Sequence, residues 1–197
     1  MVTLLLFVDF NTISPGANDN LTGTYAAVCA LRMLDMAGID FENTEVCAMI
    51  TDGEEAGLRG CKQWAKDHYD EYVNSGVETA VLCVDTLADL EYLRVYNKDM
   101  TGTVKNSQQF SQLVMDSAKD SGHNDLEFSS VYFGSSDAAA FSQAGITATC
   151  LAAMDPKPAD YYHNRRDTAE RLVPEAIKTG FDVIISTILN FDEKGLN

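Results

Sequence analysis

Four short stretches of this chain place carboxylates or an imidazole beside breaks in apolar runs: Ser14-Pro-Gly-Ala-Asn-Asp-Asn20, Thr51-Asp-Gly-Glu-Glu55, Val84-Asp85 and Tyr161-Tyr-His-Asn-Arg-Arg-Asp167. Three acidic segments and one His segment are what a chain needs to assemble an oxygen-rich, nitrogen-capped metal site from distant positions. The Asp-Gly-Glu-Glu stretch is the most suggestive. Adjacent residues in a turn point in different directions, so one carboxylate can face a metal while its neighbour faces a water. Metal-assisted hydrolysis needs that division between a ligand and a general base.

Each residue also has an ordinary reading. Glu54 and Glu55 suit the first turn of a helix, where the dipole favours acids. Asp19 suits a cap or an Asx-turn just before a helix, and Asp85 a solvated strand end. His163 has the strongest case among the histidines, because Asp167 follows it and a nearby acid can orient an imidazole. His68, in the charged stretch Lys66–Glu71, and His123, in the loop Ser121–Asp125, read as solvated. No Gly-x-Ser-x-Gly elbow and no phosphate-cradling glycine loop is present, and Gly134-Ser-Ser-Asp137 reads as a helix start.

Strands alternating with helices would position these groups. Residues 2–8 form a continuous apolar run, as in a strand buried on both faces. Residues 20–37 carry a helical pattern through Leu21, Tyr25, Val28, Leu31 and Leu34, ending at Gly38. Thr44–Ile50 reads as a strand and Gly57–Val73 as a helix. Strands follow at about 79–84 and 92–96, a helix at 107–121, and strands at 128–133 and 146–152 flanking the helix Asp137–Gln143. A terminal helix runs from about Thr168 to Phe191. The alternation implies an α/β fold with a mostly parallel sheet covered on both faces, in one domain. Ligands of such sheets sit outside the carboxyl ends of the strands, where the acidic segments fall.

At 197 residues, with 46% hydrophobic and 22% charged residues, the chain is long and apolar enough for a packed core. The net charge of −16 leaves no Lys/Arg cluster to neutralise phosphates, which argues against nucleic acid and anionic membranes as partners. The five cysteines are widely spaced, without a Cys-x-x-Cys pair, and read as buried free thiols of a reducing compartment such as the cytosol. The apolar start has no basic leader or cleavage site and meets Asp9 too early for a signal peptide or a membrane span; export of a longer gene product stays open.

Taken in order, the four stretches resemble the co-catalytic di-zinc aminopeptidases of metallopeptidase family twenty-eight, which also contains the mono-zinc glutaminyl cyclases. The similarity runs from about Phe7 to Thr168 and includes Ser136-Asp137-x-x-x-Phe141 and Gly145-Ile146. The resemblance implies a three-layer sandwich of the phosphorylase/hydrolase type and a peptide substrate. It further implies Asp19 as a carboxylate bridging two zinc ions, Glu54 as general base, Glu55 and His163 on one zinc, and Asp85 on the other. Asp167 matches the acid that follows the ligand His, in a supporting role. The family's His-x-Asp triplet is here Phe7-Val8-Asp9, which keeps the supporting Asp9 but loses a ligand. Its Asp-His pair is Asp137-Ala138, and the family's first strands and helix would be missing from a domain that is short at its N-terminus. One zinc is therefore expected, two if another ligand stands in for Phe7. Three activities stay open on this reading: an aminopeptidase, a glutaminyl cyclase-like transferase, and a non-catalytic member of the family.

Overall fold

The computed structural model describes residues 12–132, 134–157 and 159–196. The strand expected over residues 2–8, with Phe7 and Asp9, lies outside them. In chain order the main elements are a π-helical turn at Ala17–Thr22, α1 (Gly23–Met36), α2 (Arg59–Asp67), α3 (Tyr69–Tyr72), β1 (Val81–Asp85), β2 (Leu93–Asp99), β3 (Val104–Lys105), α4 (Gln108–Asp120), β4 (Phe128–Ser130), α5 (Asp137–Gln143), β5 (Ala148–Ala153) and α6 (Pro174–Lys194).

The sheet is mixed. β1 lies parallel to β5, with Val81 opposite Ala148 and Asp85 opposite Ala152, and β4 lies parallel to β2. β2 runs antiparallel to β5 and to β3. Strand β5 is buried along its whole length, and the period-2 alternation divides it between two cores. Leu151 and Ala153 face a core built with α1, α4 and α6. Ala148, Cys150 and Ala152 face a second core built with α2 and α5. Helices on both faces make the three-layer α/β sandwich expected from the sequence.

Several boundaries follow from local chemistry. Ser107 caps α4, its Oγ accepting from the Phe110 N–H at 3.2 Å. Pro174 opens α6 at its first turn and holds Val173 extended, so the predicted Thr168–Phe191 helix breaks into a short 3₁₀ turn at Ala169–Arg171 and the helix proper. The predicted Gly57–Val73 helix also divides, at His68, whose ring stacks on Trp64.

Three expectations are corrected. Thr44–Ile50 forms no ladder with any described strand, and a strand exists only through its pairing. On α1 the buried face is Gly23, Ala26, Ala30 and Leu34, while Leu21, Tyr25 and Val28 are exposed. Small residues win the inward face because α1 packs tightly at its start: a Cβ on Gly23 would strike the Val84 carbonyl. All five thiols are free, but Cys29 and Cys47 are exposed rather than buried.

Candidate active site

β1 and β5 are parallel, so Asp85 at the end of one and the loop after Ala153 at the end of the other leave the same edge of the sheet. That second loop carries His163, whose φ of +56° turns the chain sharply there. Tyr162 stacks on the imidazole with ring centroids 3.7 Å apart. The His163 Nε2 lies 3.1 Å from Asp19 Oδ2 and 2.9 Å from Glu55 Oε1. Ligand-type atoms of these three residues fall within 4.8 Å of one another. Residues 19, 55 and 163 are thus brought together from the ends of three unconnected segments.

Glu54 and Glu55 are not in the first turn of a helix. They open a tight turn in which the Glu54 carbonyl accepts from the Gly57 and Leu58 N–H groups, ahead of α2. Burial, then the charges of Glu55, Asp137 and Asp19, push the Glu54 carboxyl up to about 7, against a smaller lowering by His163. Hydrogen bonds to Asp19 and then Glu55 raise His163 to about 10, against its own desolvation. Asp85 is different. Among the described residues its buried Oδ1 has no hydrogen-bond partner, and burial followed by the charges of Asp19, Glu54 and Asp137 holds it well above the ordinary carboxylate range.

Asp167 does not touch the imidazole. Its buried carboxylate accepts from the Asn18 N–H at 2.8 Å and the Asp19 N–H at 3.0 Å, so it holds the segment that carries Asp19. Sequence reasoning missed several polar residues around the site. Asn18 and Asn20 stand out in the sequence only as neighbours of Asp19, yet Asn20 bonds the end of β1 and Asn18 the turn that follows it. Asp137 reads in the sequence as a helix start, yet its Oδ2 accepts from the Thr51 hydroxyl at 3.0 Å beside the Glu54 turn, and its buried Oδ1 has no partner among the described residues. The available signal was the density of amide and hydroxyl side chains in Asn18-Asp-Asn-Leu-Thr22, more than one turn needs for its own backbone.

The donor set of two carboxylates and one imidazole suits a zinc ion. The partnerless Asp85 oxygen is a buried acceptor of the kind a cation would satisfy.

A family model described as peptidase family M28 matches residues 7–188, nearly the whole chain. The chain belongs to peptidase family M28. Aminopeptidase YwaD of Bacillus subtilis (strain 168) is 28% identical over 193 residues, covering 89% of this chain and 37% of YwaD. Among solved structures, the zinc aminopeptidase BSAP from Bacillus subtilis superimposes with a TM-score of 0.71 at 23% identity, over 89% of this chain and 42% of that one. An Acidobacteriales bacterium glutaminyl cyclase superimposes with a TM-score of 0.55 at 17% identity, over 70% of this chain and 47% of that one. At these identities the structural likenesses speak for the fold. The chain spans less than half the length of these similar proteins. Among the described residues no helix is long and apolar enough to cross a membrane.

Proposed function

We propose that this chain is a single catalytic domain of a zinc-dependent exopeptidase that removes N-terminal residues from peptides. The convergence of Asp19, Glu55 and His163 on one point beside the partnerless Asp85 carries the reading. Those three residues would hold zinc, and Asp85 would add a carboxylate toward a second cation or the substrate's amino group. A bound zinc would supply Lewis acidity and lower the pKa of water.

The protein's own part is to bind, orient and move protons. Glu54, raised to about 7, exchanges a proton near neutrality, as a group must that takes one from an attacking water and returns it to a leaving amine. A cleft lined by Thr86, Tyr96, Val131, Tyr132, Met154 and Tyr162 opens next to Asp85 and His163 in the chain and would receive the side chain of the N-terminal residue.

The test is Glu54→Gln, assayed on aminoacyl amides with zinc content measured in parallel. The expected outcome is a fall in kcat of about 10²–10⁴-fold with zinc retained. A variant as fast as the parent removes Glu54 from the chemistry. The single complete triad equally suits a one-metal cyclisation of N-terminal Gln. The product separates the two readings: a free amino acid from peptides, or pyroglutamate with ammonia.

A further inference from the structure

The residue after Asp85 is bent against its type. Thr86 is β-branched yet holds φ at +43°, in the left-handed region such residues avoid. A conformation of this kind persists only where its surroundings over-determine it. Here the backbone N–H groups of Thr86, Leu87 and Ala88 donate in turn to Asn20 Oδ1 at 3.2 Å, Thr22 Oγ1 at 3.0 Å and Asn18 Oδ1 at 3.0 Å. Asn20 also donates through Nδ2 to the Val84 carbonyl at 2.9 Å. Its carboxamide therefore grips the peptide groups on both sides of Asp85. On the far side Leu87 is fully buried against Gly180 of α6, where an added Cβ would come within 2.8 Å of Leu87 Cδ2.

The segment that makes these bonds is the one that carries Asp19, and Asp167 fixes it from behind. We propose that Asn20, assisted by Asn18 and Thr22, is a positioning residue that holds Asp85 in register with Asp19 through the bent Thr86–Ala88 turn. The device rests on the reading of Asp19 and Asp85 as metal ligands. A carboxamide is the group the position requires. It must donate to one peptide and accept from another, and it adds no charge beside two carboxylates. Like charges would otherwise part, and Thr86 relaxing to an extended φ would carry the end of β1 away from Asp19. Holding ligands in place before the cation arrives removes an ordering step from binding.

The test compares parent, Asn20→Ala, Thr22→Val, Asp85→Ala and the Asn20→Ala/Asp85→Ala double variant. Zinc affinity is read by competition with a chromophoric chelator, and ligand geometry by the visible absorption of the cobalt-loaded protein. Asn20→Ala is expected to weaken zinc binding about 10–100-fold and shift the cobalt bands, with Thr22→Val doing the same to a smaller degree. The effect of Asn20→Ala should vanish once Asp85 is gone. Unchanged affinity and cobalt bands in Asn20→Ala and Thr22→Val, or an undiminished Asn20 effect without Asp85, overturns the proposal. Should Asn20→Ala not fold, Thr22→Val decides on the same readouts, because it keeps the shape and removes the hydroxyl that accepts from the Leu87 N–H and donates to the Asn18 carbonyl. A parent that takes up no zinc overturns the ligand reading and this device with it; a zinc-binding parent with indistinguishable variants overturns the device alone.

Discussion

Two clusters of acids meet at one edge of the sheet and are balanced in opposite ways. Around His163, Asp19 and Glu55 share a partly exposed imidazole at 3.1 and 2.9 Å, so a proton already stands where a cation would. Around Asp85, the charges that act on it are those of the acids Asp19, Glu54 and Asp137, and among the described residues one buried oxygen has no partner. The first cluster must give up a proton to take a metal. The second holds no positive charge among the causes that act on Asp85, and a proton or a bound cation would supply one. On the proposed reading, metal binding would be coupled to proton release at one end of the site and to relief of repulsion at the other.

The contrast can be broken most strongly at the imidazole. His163→Ala should lower zinc affinity about 1,000-fold, about 4 kcal/mol by the usual conversion, as read by equilibrium dialysis. Binding as tight as the parent's would dissolve the first cluster as a metal site. Asp167→Ala comes next. It strips two backbone N–H groups of a buried acceptor and should destabilise the protein by about 3 kcal/mol in urea unfolding. An unchanged midpoint would mean that the Asp19 segment is held by other contacts.

Asp85→Asn sharpens the comparison through its sign. Without metal, removing an uncompensated buried charge should raise stability by about 1 kcal/mol at pH 8, while zinc affinity falls. If both quantities fall together, the second cluster is not short of positive charge.

The smallest effect is on pH dependence. Glu54 at about 7 and His163 at about 10 both bind protons more tightly in the folded chain than at their ordinary values of 4.5 and 6.5. In each window the native state holds more protons than the unfolded one, so stability falls as pH rises. The Glu54 contribution is lost between 4.5 and about 7, that of His163 between 6.5 and about 10. The melting temperature of metal-free protein should therefore decline by a few degrees across this range. His163→Ala should flatten the upper part, and a slope unchanged by that variant would remove the shared proton from the first cluster.

Much of this was legible in the sequence, for reasons that differ along the chain. The strand ending at Asp85 and the helices from Gln108 and Asp137 show in period and capping, which are local. The three residues of the His163 cluster, Asp19, Glu55 and His163, were legible as residue types beside breaks in apolar runs. The inward face of α1 was not, because Ala26 and Ala30 are chosen by the closeness of the sheet, and apolar periodicity ranks them below Tyr25 and Val28. Nor was the grip of Asn18, Asn20 and Thr22 on the turn after Asp85. A side chain that serves a backbone some 65 to 70 positions away leaves no trace in its own neighbourhood.

The bonds from Asp167 to the Asn18 and Asp19 amides join residues 149 and 148 positions apart. Contacts of such span close a long loop, and the entropy of that closure must be met before they form. On the ribosome the Asp19 segment must wait until residue 167 has emerged. The proposed metal-gathering arrangement thus requires both segments to be folded together, and partly folded forms would offer a passing cation only scattered acids.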